Sequence, residues 1–581
     1  MSRWSPSALA ALLLATAGLS EAARLEITVT PRYQGDPLQL DSLRYQNASG
    51  ESLAVTRLSY LLSGFALQQE DGSWLELPDT NAWLDAATRR HSLTLDAVPP
   101  ARYRALRFHV GPDAATNAAD PSRFPATHPL NPNLNGLHWS WQQNYIFMAL
   151  EGHFRPAAAA GSTAEPQGFT WHFARDPNRT PVTLSADLDL HKDAGILIHF
   201  DISSLLHAPR ALSFARNGTA THSRDGDPLA AALKANLPAA FHIQRIATAT
   251  PAIPAGPPLK PIDLPDHFTP FPLTISRSFP IPDLPRDNPL ITERVNLGRQ
   301  LFHDPRLSRD GTISCASCHA EKSAFTDGLP VSIGVDGRKG DRNAMPLFNL
   351  AWKQRFFWDG RAPSLRAQVL MPIADHREMD LTPESAATTL SNSPEYPDRF
   401  RAAFKSPGIT PQKIALALEQ YLLTLVSSHS KFDLALLGRA TLTPPEQRGL
   451  ELFMTESDPR TGQRGADCFH CHGGPLFTDH QFHNNGLANP GTGLSAVTGN
   501  PADAGKFVTP SLRNLARTAP YMHDGRFASL EAVVTHYSTG IHRNPSLDPN
   551  LAKHPAQGLQ LTDSEQRDLI AFLLTLTDLK P

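Results

Sequence analysis

Between residues 23 and about 245 apolar and polar positions alternate with a period of two. In RLEITVTPR the apolar set is Leu25, Ile27 and Val29, and in YRALRFHVG it is Leu106, Phe108 and Val110 against Arg107 and His109. GILIHFDI repeats the pattern with Ile196, Ile198, Phe200 and Ile202. Such alternation gives a pleated strand one apolar face, and the Gly, Pro, Asn and Asp residues between the runs supply turns. The pattern predicts antiparallel sheets in an all-β, sandwich-like domain over 23–245. TPAIPAGPPLKPIDLPDHFTPFPL then breaks every period, and 246–287 reads as an extended Pro-rich linker.

From about residue 288 the period becomes helical. TPPEQRGLELF opens on Thr443, with prolines in the first turn and Glu446 at the capping-box position. TDSEQRDLIAFLLTL repeats the device with Thr562 and Glu565 and places Leu569, Leu573 and Leu576 on one face. An internal echo pairs VNLGRQLFHDPRLS with RGLELFMTESDPR, so a helix ending in Leu-Phe precedes a short loop twice.

A chain of 581 residues exceeds one hydrophobic core, so a multidomain protein is expected. A net charge of −3 gives no reason to expect nucleic acid or an anionic membrane as partner. At the amino terminus Arg3 is followed by ALAALLLATAGL and then by Ser20-Glu21-Ala22. This is the layout of a cleaved signal peptide over 1–22, and it predicts an exported, periplasmic protein. No other stretch has the apolar length that spans a bilayer.

The 4 cysteines occupy two copies of one pattern, CASCH (Cys315, Cys318, His319) and CFHCH (Cys468, Cys471, His472). Cys-x-x-Cys-His is the attachment signature of c-type haem. Two thioethers hold the macrocycle and the histidine becomes the proximal iron ligand. A redox dithiol and half of a zinc site are the competing readings. The duplication in an exported chain favours two covalent haems, and with them two tandem all-α cytochrome c-like domains, 288–440 and 441–581.

The segments LGRQLFHDPRLSRDGTISCASCH, RNAMPLFNLAW, FFWDGRAPSLRAQ, FVTPSLRNLARTAPYMHDG and SLEAVVTHY resemble the bacterial di-haem cytochrome c peroxidase superfamily, in particular its MauG and MbnH branch. The resemblance implies a catalytic first haem held by His319. The loop SAFTDGLPVSIGVDGRKGDRN after it contains no histidine that could close the distal face. It further implies that Glu378 is the general acid–base, that Gln368 orients the bound oxygen species and that Trp358 relays electrons between the haems. For the second haem, held by His472, the family position of the other axial ligand falls on Tyr537, where the classical peroxidases carry methionine. Met522 and His536 are the alternatives nearby. A structural calcium is implied at Asn343, Thr518 and Pro520 by resemblance alone.

LDSLRYQNASGESLAVTRLSYLLSGFAL, YRALRFHVGPDAATN and GLHWSWQQNYIFMALEGHF resemble MbnP-type periplasmic copper-binding proteins. That family implies a tryptophan oxidised to kynurenine beside a copper site with histidines. Imidazole suits copper in either oxidation state. The candidate ligands are His172, His138 and His199, with His153 behind them, and the candidate modified residues are Trp139 and Trp141 ahead of Trp83 and Trp171. The expected function is peroxide-driven oxidation of the chain's own N-terminal domain, which matures a copper site. The alternatives are a classical peroxidase fed by a small cytochrome c and a non-enzymatic copper-binding or electron-transfer protein.

Overall fold

The computed structural model describes residues 22–139, 144–157, 165–248, 263–458, 462–554 and 557–579. The expected signal segment, apart from Ala22, lies outside the described residues, as do Trp141 and residues 249–262 of the expected linker. Among the described residues no helix is long and apolar enough to cross a membrane.

The N-terminal region is largely β-sheet. Strand Ser52–Gln69 is the spine of a nine-stranded sheet, pairing antiparallel with Trp74–Asp85, Arg102–Val110 and Asn144–Arg155. A five-stranded sheet is built around Ala23–Tyr33. This strand pairs in parallel with Ala194–Asp201, contrary to a purely antiparallel expectation. The alternating residues behave as their period requires: Leu25, Ile27, Val29, Leu106, Phe108 and Val110 have no exposed surface. Rings close the space between the sheets, with Tyr60 meeting Phe200 at 5.1 Å and Phe108 meeting Phe241 at 5.3 Å.

The region is not all-β. Helix Pro228–Ala240 begins at Asp227, whose carboxylate accepts the Leu229 amide at 2.9 Å. Its buried Leu229, Leu233 and Leu237 recur every four residues, a helical stripe lying within a mostly strand-patterned region. Strand Phe241–Thr248 then runs past the expected boundary at 245.

The C-terminal region is largely helical and forms two helix-rich clusters that repeat one design. In the first, helix Thr292–Phe302 crosses helix Pro411–Leu423, and in the second Pro444–Phe453 crosses Asp563–Leu574. Each crossing depends on a glycine. A Cβ on Gly298 would strike the Ala417 carbonyl, and one on Gly449 the Asp568 carbonyl. Both capping boxes expected at Thr443/Glu446 and Thr562/Glu565 are formed. The echo extends further: Asn349 and Asn514 are both left-handed, and the bridges Phe356–Ala362 and Tyr521–Phe527 recur at the same spacing.

The two regions pack against each other. Strand Gln167–Ala174 lies against helix Pro549–Ala552, so closely that a Cβ on Gly168 would collide with the Pro549 carbonyl and the Lys553 amide nitrogen.

Candidate functional site

Each Cys-x-x-Cys-His segment ends with its histidine oriented by the chain. His319 Nδ1 donates to the Phe325 carbonyl at 2.9 Å, and His472 Nδ1 donates to the Phe477 carbonyl at 3.1 Å. That hydrogen bond fixes the tautomer and leaves Nε2 free to bind a metal. Burial pushes the Cys315 thiol up to about 12 and the Cys318 and Cys471 thiols to about 11. A redox dithiol needs its thiol lowered, and burial here acts in the opposite direction.

Beside the second motif is a large, mainly apolar cavity lined by Cys468, Cys471, His472, Leu530, Val534 and Tyr537, among others. Two cysteines and a preset imidazole at the wall of an apolar slot fit a covalently held haem. Tyr537 reaches this cavity from helix Leu530–Thr539. Its hydroxyl accepts from Asn485 Nδ2 at 3.4 Å, and burial pushes its pKa up to about 12. Met522 also lines the cavity, with its sulfur 3.4 Å from Asn485 Nδ2. His536 is committed elsewhere, since its Nε2 donates to the Asn485 carbonyl at 2.9 Å. In the first repeat the position equivalent to Tyr537 is Pro372, where the helix is broken into Leu365–Gln368 and Met371–Ala374. A proline offers iron no side-chain donor.

The Glu378 charge contributes to raising both thiols of the first motif. Its own carboxyl is raised by burial and by Asp375, with Arg361 and Arg377 opposing. Gly334, in the loop after the first motif, lets that loop lie on the Glu378 backbone, where a Cβ would clash. Gln368, half-buried, closes the short helix Leu365–Gln368. Trp358 is 8 % exposed, lines the same cavity beside the second motif and donates from Nε1 to the Asn343 carbonyl at 2.9 Å. Asn343, Thr518 and Pro520, the residues expected at calcium, line the same cavity. The Asn343 amide donates to the Leu329 carbonyl at 2.9 Å.

At the junction three imidazoles converge. His172 comes from strand Gln167–Ala174, His222 follows the short strand Ala220–Thr221, and His470 is the second inner residue of the CFHCH motif. One ligand atom from each lies within 4.8 Å of the others. His172 Nε2 donates to Glu151 at 2.9 Å, and Arg57 Nη1 binds the same Glu151 oxygen at 3.0 Å. Burial alone would raise Glu151, but Arg57 and His172 hold it far below the usual carboxylate range. His222 Nε2 and His470 Nε2 both meet Glu456 Oε2, at 2.9 and 3.0 Å. Lys553 binds the other Glu456 oxygen and approaches Asp467 at 3.4 Å. Burial lowers His172 to about 4, so its imidazole is neutral and able to bind a metal at neutral pH.

Of the histidines expected at copper, the junction cluster contains His172 alone. His138 is half-buried, is lowered by desolvation to about 4, and packs at 4.7 Å on Tyr145. His199 lies in the five-stranded sheet, 5.4 Å from His242. His153 is turned to the Leu547 carbonyl at 2.9 Å. The reading of the sequence missed His222 and His470. His470 is concealed as a variable position of a haem motif, and His222 sits in a turn-rich stretch with no period.

The tryptophans separate in the same way. Trp171 is fully buried beside Phe169 and Phe214, and Trp83 donates to Ser59 at 2.8 Å. Trp139 lies against the cluster, 5.1 Å from His222 and 6.1 Å from His172 between ring centroids. The His222 ring is in turn 5.6 Å from Phe469, inside the second haem motif.

Comparison with known proteins identifies both halves. Residues 292–441 match the family model of di-haem cytochrome c peroxidase, and residues 22–223 match that of MbnP. The methylamine utilization protein MauG of Methylorubrum extorquens is 40% identical over 297 residues, 50% of this chain and 80% of that protein. The cytochrome c551 peroxidase of Nitrosomonas europaea is 36% identical over 310 residues, 52% of this chain and 85% of that protein. Among solved structures, a MauG-like protein associated with microbial copper homeostasis is 38% identical, with a TM-score of 0.48 over 53% of this chain and 96% of that one.

Proposed function

The chain belongs to the di-haem cytochrome c peroxidase family and carries an MbnP-like domain ahead of the peroxidase half, and from that premise we propose that it uses hydrogen peroxide to oxidise its own Trp139 to kynurenine at a copper site. The observation that carries this reading is the run of rings from Trp139 through His222 at 5.1 Å to Phe469 at 5.6 Å, beside Cys468 of the second haem motif. The chain is a fusion of enzyme and substrate, divided into a signal peptide over 1–22, a sandwich-like domain over 23–245, a linker over 246–287 and cytochrome c-like domains over 288–440 and 441–581. Export to the periplasm follows from the signal segment.

Bound haem supplies the iron that reduces peroxide and a second iron that shares the oxidising equivalents. The residues do the rest. Glu378, held protonatable by burial, takes a proton from incoming peroxide and returns it to the departing oxygen. Gln368 orients the oxygen species. Tyr537 would hold the second haem through its phenolic oxygen, a hard donor that would favour the higher-valent iron. Trp358, between the two motifs, relays electrons. Asn343, Thr518 and Pro520 are the calcium residues of this reading. Two molecules of hydrogen peroxide take up the four electrons drawn from the indole and are reduced to water, and two water molecules supply the oxygen atoms that open the ring, for a net release of two waters. Hydrolysis then releases formate and exposes the aniline nitrogen of kynurenine, a donor that indole lacks. His172 is the copper ligand of the original candidates that the geometry supports best.

The test is to add peroxide to the holo-protein and to follow the mass of the peptide carrying Trp139 and Trp141. The expected result is conversion of one indole to kynurenine, at Trp139. An unchanged peptide together with rapid oxidation of reduced small cytochrome c would replace this reading with that of a classical peroxidase.

A further inference from the structure

We propose that the copper site is completed by the peroxidase half of the chain: one copper ion is held by His172 and His222 of the MbnP-like domain together with His470 and Glu456 from the second haem segment. This rests on the copper part of the proposed function and not on tryptophan oxidation.

The three imidazoles are already gathered, with one ligand atom of each within 4.8 Å of the others. Glu456 Oε2 receives Nε2–H from His222 at 2.9 Å and from His470 at 3.0 Å, while His172 Nδ1 is 3.4 Å from His222 Nε2. A cation placed among these atoms takes the Nε2 lone pairs of His222 and His470, whose ring protons move to Nδ1. The result is a site of three nitrogens and one oxygen.

The surrounding groups have the form of support for a metal site. His172 donates its far nitrogen to Glu151, which is itself held by Arg57, so the carboxylate fixes the ring and turns Nδ1 inward. A carboxylate behind a ligating histidine is a recurrent feature of metal sites. The three imidazoles are buried, with side chains 3, 7 and 2 % exposed. Three buried carboxylates, Glu151, Glu456 and Asp467, face two permanent cations, Arg57 and Lys553, and His554 donates to Asp467 at 2.5 Å. A metal cation balances the excess negative charge. Among divalent first-row ions a nitrogen-rich site of this kind binds copper most tightly.

One consequence is specific to this arrangement. His470 lies between Cys468 and Cys471, so the residues that fix the second haem also position a copper ligand. The MbnP-like half alone offers only two of the three imidazoles.

The experiment uses the full-length holo-protein after a peroxide pulse, labelled with 15N-histidine and titrated with copper(II). The expected result is one tightly bound copper per chain whose EPR hyperfine pattern counts three histidine nitrogens. H470N should lose one coupling and bind copper at least about tenfold more weakly, with both haem absorption spectra retained. H222N, remote from the haem motif in sequence, should do the same and carries the test should H470N fail to take up haem. H199N should leave copper binding unchanged. Two histidine couplings in the parent protein, unaltered affinity in both cluster variants, or loss of copper in H199N would overturn the proposal. Trp139 oxidation is read separately by peptide mass, so failure of one proposal is distinguishable from failure of the other.

Discussion

The imidazole of His470, inside the second haem-attachment motif, lies 5.3 Å from the imidazole of His172 in the β-rich half. Residues nearly three hundred positions apart, each in a segment characteristic of a different family, thus share one buried cluster. The expectations below follow from this contact and from the two haem segments around it.

Trp139→Phe should abolish the peroxide-dependent change in peptide mass while leaving the consumption of the first equivalent of peroxide unaltered. Trp171→Phe and Trp83→Phe, which alter core rings away from the cluster, should retain the change. Peptide mass spectrometry after a fixed peroxide pulse checks all three.

Glu378→Gln should slow the reaction with peroxide by about 10²- to 10⁴-fold, the usual contribution of a positioned acid–base group. Burial and Asp375 raise the Glu378 carboxyl above its ordinary value of 4.5. Its stabilising contribution is therefore fully present below that value and is lost as pH rises through the raised folded-state value. The variant, which cannot ionise, should gain stability relative to the parent across that window and not below it. Stopped-flow rates and urea unfolding at several pH values read the two effects independently.

Tyr537→Met should raise the reduction potential of the second haem, because a thioether favours the reduced iron more than a phenolate does. Spectroelectrochemical titration measures the shift. An unaltered potential would mean that Tyr537 does not bind the iron.

Asp433→Ala should destabilise the helical region by about 3–5 kcal/mol, the usual cost of leaving a buried charge unpaired. Arg513 makes two hydrogen bonds of 2.8 Å to Asp433, and the two side chains are 1 and 5 % exposed. Its guanidinium also stacks on Phe279 and Phe477, and apart from Asp433 it donates to the Pro475 carbonyl. Denaturant unfolding of the holo-protein is the measurement.

Gly168→Val should loosen the junction, since its side chain would meet the Pro549 carbonyl and the Lys553 amide nitrogen directly. Lys553 holds Glu456, so copper affinity should fall together with the yield of Trp139 oxidation. Copper titration and peptide mass should change in parallel, with both haem spectra retained.

Much of the fold could be read from residue order because its determinants are local. Leu25, Ile27 and Val29 alternate and are buried, and Thr562 with Glu565 announces a helix that begins where expected. Helix Pro228–Ala240 was harder to see because its leucine stripe follows a long series of strands, although Asp227-Pro228 is a recognisable start. The two Cys-x-x-Cys-His motifs were legible because thioether attachment constrains five consecutive residues. The junction cluster was not legible. His222 and His470 meet only after two regions with separate sequence signatures pack together, and no periodicity links them. His199 carried the same local signal as His172, yet its strand belongs to the other sheet.

The backbone contact at Gly168 also bears on how the reaction would be counted. An indole clamped by the fold against the haem motif of its own chain cannot diffuse away and be replaced by a fresh one. Under the proposed function each molecule therefore holds a single substrate group for its lifetime. Product formation should follow a burst whose amplitude equals the protein concentration, with no steady rate after it. Diluting the protein should leave the time course of that burst unchanged, the kinetic signature of a chain that finishes its own synthesis.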